Sequence, residues 1–208
     1  MKVELVHCTQ DAEQLIVKMA RVSNEANQDN WETGPKLLRY LLKHRHYSPF
    51  EMVSMCVRIE TERDIAAQII RHRSFSFQER STRYTEAPTP TVPQLRRQDR
   101  KNRQNSIDDL ATATKVELLD RIGAIYGETA RLYEDMLSAG VAKETARRIL
   151  PLSTRTTLYM HGTARSWLHY LQVRCYEDTQ LEHRQVARAC YEVFAKQFPT
   201  IAELVFDA

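Results

Sequence analysis

Long apolar runs are missing from this 208-residue sequence. No window approaches roughly 18 uninterrupted apolar residues, the length of a membrane-spanning helix. Met1-Lys2-Val3-Glu4 opens the chain without the apolar core of a secretion signal. The expectation is a cytoplasmic protein with no membrane partner. Cys8, Cys56, Cys175 and Cys190 form no C-x-x-C pair and no metal-ligand spacing, so reduced, buried thiols and no metal site are expected. No G-x-G-x-x-G follows a strand pattern and strict βαβ alternation is absent, which argues against a Rossmann fold. Lysine is scarce: 8 against 22 arginines, within a net charge of only +3. So mild a charge does not by itself argue for nucleic acid. The arginine bias favours bidentate contact with phosphate or carboxylate, hence small anionic ligands, and is also compatible with compositional drift.

What is present gathers in one stretch, Arg71-His72-Arg73-Ser74-Phe75-Ser76-Phe77-Gln78-Glu79-Arg80-Ser81-Thr82-Arg83-Tyr84. It holds four arginines, four Ser or Thr hydroxyls and three aromatics, with Glu79 as the only anion. Buried arginine is rare unless paired, and an ordinary solvated face would mix lysine with both signs of charge. The set suits an anionic ligand carrying a flat ring, since guanidinium forks grip phosphate and planar groups stack. On composition alone, a surface loop that is merely basic fits as well.

In chain order, Lys2 to His7 alternates like a strand, and Thr9 is placed to cap a helix carrying Leu15, Ile16, Met19 and Ala20. Ser23 to Gly34 is polar loop, and Pro35 opens a helix with a stripe of Leu37, Leu38, Leu41 and Leu42. His44 and His46 are two apart but lack a nearby third ligand; end-of-helix polar groups are the simpler reading. Met52 to Glu60 alternates as a strand, and Thr61-x-x-Asp64 has the form of a capping box for the helix that carries Gln68. Three prolines between Ala87 and Pro93, then the basic run Arg96 to Arg103, predict an extended exposed loop over residues 85–106. Helical spacing covers Ile107 to Ala139 and stops at Gly140, and Lys143 to Ile149 is a short helix before Pro151. Leu158 to Thr163 is ambiguous, with a strand as one option, and Ala164 to Ala195 is helical in one or two pieces. Trp167 is expected in a helix core, and His183 beside Glu182 on a helix surface. The pattern is an α+β domain.

Arg71-His72-Arg73, seven residues, Ser81 and then Arg83 resembles the signature of the flavin-dependent thymidylate synthases. Four further segments match that family in order. They are Ala20-Arg21-Val22-Ser23, His46-x-Ser48-Pro49-Phe50-Glu51, Ala146 to Leu152, and Arg165 to His169 with Arg174 and Gln180-x-Glu182. The matched segments run from about residue 20 to 185 and skip the proline-rich loop.

The resemblance implies a single mixed α/β domain over residues 1–208, with residues 85–106 a loop inside it. A central, largely antiparallel sheet would be flanked by long helices, and the chains would form a homotetramer with active sites shared between subunits. It implies reductive methylation of dUMP to dTMP, with methylenetetrahydrofolate as carbon donor and FAD, reduced by NADPH, as hydride carrier. Ser23, Ser48, Glu51, Arg71, His72, Arg73, Glu79, Thr163, Arg165 and His169 would contact FAD. Gln68, Arg71, Glu79, Arg80, Ser81, Thr82, Arg83 and, from another chain, Arg147 would hold dUMP. Arg174 would face and activate the uracil, where a fixed cation stabilises charge without proton transfer. The chain departs from the family at Thr163 and His169, often Asn there, at Gln78, usually Asn, and at Met52, usually His. No cysteine sits in the Pro-Cys-His setting of the cysteine-dependent thymidylate synthases, so no protein nucleophile is expected. Two other readings stand beside this one. A nucleic-acid module could use Arg71 to Arg83 and Arg96 to Arg103, with Phe75, Phe77 and Tyr84 stacking on bases. A nucleotide-binding regulator would keep affinity for dUMP without turnover.

Overall fold

Alternation of Met55, Val57 and Ile59 against Ser54 and Arg58 makes the strand β2, Ser54–Glu62, and buries the first three completely. It lies in a four-stranded antiparallel sheet with β1 (Lys2–Cys8), β3 (Ser76–Glu79) and β6 (Arg155–Thr163), in the order β1-β2-β6-β3. Leu158 to Thr163, ambiguous from its sequence, is therefore the end of a strand. This computed structural model describes residues Met1–Phe206; the predicted domain range also includes Asp207 and Ala208, which lie outside the described residues. The architecture is mixed α/β, as expected.

The chain divides into two compact units, with the boundary falling inside β2, β3 and β6. The first comprises Met1–Ile59, Ile70–Gln78 and Tyr159–Ala208. Its helices are α1 (Ala12–Ala20), α2 (Gly34–Lys43), α6 (Ala164–Arg174), α7 (Leu181–Gln197) and α8 (Pro199–Ala202). Ile16, Leu38, Phe50, Trp167, Phe194 and Phe198 are fully buried there. Burying a side chain of this size removes apolar surface worth about 1.5–3 kcal/mol from water. The buried Glu13 carboxylate accepts from the Ile201 amide at 2.8 Å, which stops the short α8 from leaving an orphan donor inside. Trp167 lies in the core, as the sequence predicts.

The second unit comprises Glu60–Ile69 and Glu79–Leu158, with α3 (Arg63–Ile69), α4 (Thr112–Ser138) and α5 (Lys143–Ala146). Ile65, Ala66, Ile69, Ala146 and Leu158 are buried in it. The 85–106 stretch is less irregular than expected. Its two-residue strands β4 (Arg97–Gln98) and β5 (Ser106–Ile107) pair antiparallel, and Arg97 grips Asp109 bidentately at 2.8 and 2.6 Å.

Several local expectations are corrected. Thr9 does not cap α1; its hydroxyl and amide bond Ser54 across the strands, and Asp11, with φ 48°, precedes the helix instead. The capping box at Thr61 does not form, because Thr61 and Glu62 still belong to β2. The first amides of α3, on Arg63 and Asp64, donate to the carbonyls of Thr154 and Leu152. The long helix begins at Thr112, not Ile107, since Ser106–Ile107 is taken by β5. Lys143 to Ile149 is a helical turn followed by a 3₁₀ turn, Arg147–Ile149. Cys8 is only half-buried. His183 is not on a helix surface: it is completely buried on α7. No helix among the described residues is long and apolar enough to cross a membrane.

Candidate active site

In the first unit the site is built around the two ends of α6. Thr163 closes β6 in extended backbone, and its hydroxyl caps α6 by accepting from the Ser166 amide at 3.3 Å. The same hydroxyl donates to one oxygen of Glu51 at 2.7 Å, while Arg165 donates to the other at 2.8 Å. Glu51 comes from the 3₁₀ turn Ser48–Glu51. The Thr163 hydrogen bond, followed by Arg165, holds its carboxyl below the ordinary range, so it stays ionised at neutral pH. Arg165 also lies over the Tyr47 ring, 5.4 Å from its centre. Tyr47, Glu51, Ser74, Arg165, His169 and Gln172 line a cavity of about 320 Å³. Arg165 and His169 are four residues apart and so share one face of α6, exposed, while Trp167, Tyr170 and Leu171 face the interior. The departures Thr163 and His169 thus flank this cavity, and Thr163 still supplies a hydrogen bond.

At the other end of α6, the Arg174 Nε–H donates to Nε2 of His72 at 2.9 Å. An accepting Nε2 carries no proton. Burial, then the charges of Arg174 and His169, pushes the His72 pKa down to about 4, so the ring is neutral near pH 7. Arg174 pairs with no carboxylate among the described residues. The segment that carries His72 is pinned at Phe75. That ring meets Trp167 edge-on at 4.9 Å and lies so close to Gly162 that a Cβ there would sit 2.5 Å from Phe75 Cδ1. Arg71 and Arg73 are exposed and make no hydrogen bond or ion pair among the described residues. Ser48 is exposed, and Ser23 lines a separate cavity of about 530 Å³ with Arg21, Thr33 and Tyr40. Arg21 is buried, donating to the carbonyls of Asn27 and Asn30 and to Thr33, so this matched residue staples the Asn-rich loop.

In the second unit, Thr82 is buried, and its hydroxyl accepts from Arg63 and from Arg147 at 3.4 Å each. Arg147, assigned by the resemblance to a neighbouring chain's nucleotide, thus lies beside Thr82 of its own chain. Glu79 accepts from the Thr156 hydroxyl at 2.8 Å. Arg80 bonds Thr85 at 3.1 Å and the Glu86 carbonyl at 3.3 Å, so it braces the turn that begins at Ser81. Gln68 is half-buried and has a partner; Ser81 and Arg83 are exposed, and the Arg83 guanidinium is unpaired among the described residues. The Thr82 hydroxyl thus gathers the guanidiniums of Arg63 and Arg147, with Arg83 next to it in sequence, and none of the three pairs with an acid among the described residues, an arrangement suited to an anion.

Sequence reasoning missed Arg63, Tyr47 and Thr156. Tyr47 sits inside the His46-to-Glu51 segment, where the resemblance gives it no role, and the capping-box pattern at Thr61 masks the strand–helix junction that carries Arg63. His44 and His46 form a surface aromatic cluster with Tyr40, and no group of metal-ligating residues exists among those described.

The family model described as thymidylate synthase complementing protein matches residues 4–200. A probable flavin-dependent thymidylate synthase of Paramecium bursaria Chlorella virus 1 is 48% identical over 193 residues, covering 92% of this chain and 89% of that one. A flavin-dependent thymidylate synthase of Synechocystis is 50% identical over 190 residues, covering 91% and 87%. Among solved structures, the UMP/dUMP methylase PolB from Streptomyces cacaoi, bound with 5-Br dUMP, superposes with a TM-score of 0.87 at 30% identity, covering 99% of this chain and 94% of that one.

Proposed function

The chain belongs to the flavin-dependent thymidylate synthase family, and from that premise we propose that it methylates dUMP to dTMP with methylenetetrahydrofolate as carbon donor. On this reading residues 1–208 work as one cytoplasmic synthase domain. The observation that carries it is Arg174: a guanidinium fixed by a neutral imidazole and paired with no carboxylate among the described residues. C5 of the uracil is the better nucleophile towards the folate-derived methylene the more the ring is polarised beforehand, with negative charge on its oxygens and N3. A cation already in place stabilises that charge without reorganising, and guanidinium stays ionised at any working pH. A carboxylate partner would dilute the effect.

The residues present fit a flat anionic cofactor. The cavity beside α6 offers an aromatic ring at Tyr47, a guanidinium at Arg165 and an imidazole at His169, and Arg71 and Arg73 are unpaired donors. Ser23, Ser48, Glu51, His72, Glu79 and Thr163 complete the set assigned to FAD. When bound, the flavin would supply the hydride, drawn from NADPH, that completes the methyl group. Ser81, Thr82, Arg83 and Arg147 would grip the phosphate of dUMP, with Gln68, Glu79 and Arg80 beside them. Burial raises all four thiol pKa values, Cys175 to about 11, so none offers a thiolate at neutral pH. That supports chemistry without a cysteine nucleophile.

Largely exposed apolar residues of α4 support an assembly of copies of this chain, for which the family implies a homotetramer. The test is a visible absorption spectrum of the purified protein, then with FAD and then with dUMP. Flavin bands that appear and then shift with dUMP are expected. A protein that takes up no FAD would overturn the proposal.

A further inference from the structure

Arg174 can act on a substrate only if its guanidinium is aimed, and a long side chain at the last residue of a helix has several rotamers to choose from. One hydrogen bond restricts it: Nε–H to His72 Nε2 at 2.9 Å. Because Nε is the donor used, the Nη1 and Nη2 groups keep all four of their hydrogens for something else. The acceptor is itself held. The Tyr170 ring meets the His72 ring edge-on at 4.9 Å and 83°, and the His183 ring meets it at 6.3 Å and 84°. Tyr170 and His183 are both completely buried, and their rings lie 5.9 Å apart. The Tyr170 hydroxyl has no hydrogen-bond partner among the described residues, so what the ring contributes here is a wall rather than a polar contact.

We propose that His72 is a positioning residue for Arg174: its unprotonated Nε2 fixes the guanidinium plane and presents the two Nη groups to the substrate, while Tyr170 and His183 hold the imidazole in place. A protonated His72 could not accept this bond and would repel the guanidinium. The charged and titratable groups around it act in one direction. Arg174 and His169 on α6 and His183 on α7 are all cationic when charged, and Tyr170 on α6 stays protonated. This goes beyond a flavin contact for His72 and rests on the proposed thymidylate synthesis.

Two readouts separate the inference from that reading. In the protein alone, ¹⁵N NMR should show the bare nitrogen of His72 to be Nε2 at neutral pH, with the Arg174 Nε–H protected from solvent exchange. His72→Leu should abolish the protection. In single-turnover methylation with bound flavin, His72→Leu should lose at least tenfold in rate with dUMP affinity changed by less than threefold. His72→Gln, whose side-chain amide oxygen can still accept near the Nε2 position, should recover most of the loss. Rapid Nε–H exchange in the unaltered protein, or equal rates for the Leu and Gln variants, would overturn the positioning role. An unaltered protein that shows the NMR signature yet makes no dTMP would instead refute the thymidylate reading and leave the hydrogen bond standing.

Discussion

Two helices with similar sequence periodicity end in opposite environments. α6 has 11 residues and buries Trp167, Leu168, Tyr170 and Leu171; α4 has 27 and buries only Tyr133. Val116, Ile125 and Leu132 of α4 remain 52%, 61% and 49% exposed. Apolar spacing states which face a helix would bury, but not what covers it. On α6 the cover is this chain's own strands and α7, and that seat sets the directions of Thr163, Arg165 and Arg174. On α4 the cover is absent from the protomer, which is where an assembly would supply it.

The sharpest way to break the comparison is to change the end of α6. Arg174→Ala should leave the fold intact, since among the described residues the side chain makes one hydrogen bond and no ion pair, yet lower thymidylate formation by roughly 10²–10³, the usual effect of removing a preorganised charge-stabilising group. Rates within a few-fold of the unaltered enzyme would sink the proposed role. A change just ahead of α6, at the end of β6, should act on stability instead. In Gly162→Ala the new Cβ would meet Phe75 Cδ1 at 2.5 Å, and displacing that ring from Trp167 should cost about 1–3 kcal/mol, read as a lower denaturation midpoint.

Which parts of this were legible in the sequence follows from how local each cause is. The strands with alternating pattern, the helical character of residues 164–195, and the basic segment were readable because period and composition are local; whether that helix is one piece or two was not. Thr9 and Thr61 misled because their capping patterns are also local, whereas the strand pairing that claimed them involves Ser54 and β2, 45 residues distant in the first case. The same holds at the site. Arg174 and His72 were each marked by motif, but nothing in the spacing announced that one hydrogen-bonds the other across 102 positions. His183 reads as a surface group because Glu182 stands beside it, whereas α7 packs against α6 and β1 and the residue is buried.

That burial has a consequence for acid stability. The His72 and His183 pKa values are depressed from 6.5 to about 4 and about 3, mainly by desolvation. The unfolded chain therefore takes up protons that the folded chain refuses. Stability should be full above about 6.5 and decline as pH falls toward 4, through protons bound preferentially by the unfolded state. Denaturation midpoints across that interval should fall, and His183→Phe, if it folds, should flatten part of the decline. A midpoint independent of pH down to 4 would mean that neither imidazole is held neutral.

The smallest expected effect on the protomer is on α4, and it is the one that tests what the helix is for. Ile125→Lys places a charge on a position that is already 61% exposed, so the isolated fold should change by no more than about 0.5 kcal/mol. If a second copy covers this face, burying an unpaired ammonium there is costly, and the assembly should shrink in light scattering while the protomer's circular dichroism stays the same. An unchanged particle mass would place the contacts between copies elsewhere on the chain. Because the proposed sites are shared between subunits, loss of the assembly should also lower turnover, although Ile125 is not among the residues proposed to bind substrate or flavin. Equal turnover in a dissociated variant would show that one chain carries a complete site, with its own Arg147 beside Thr82 as found here.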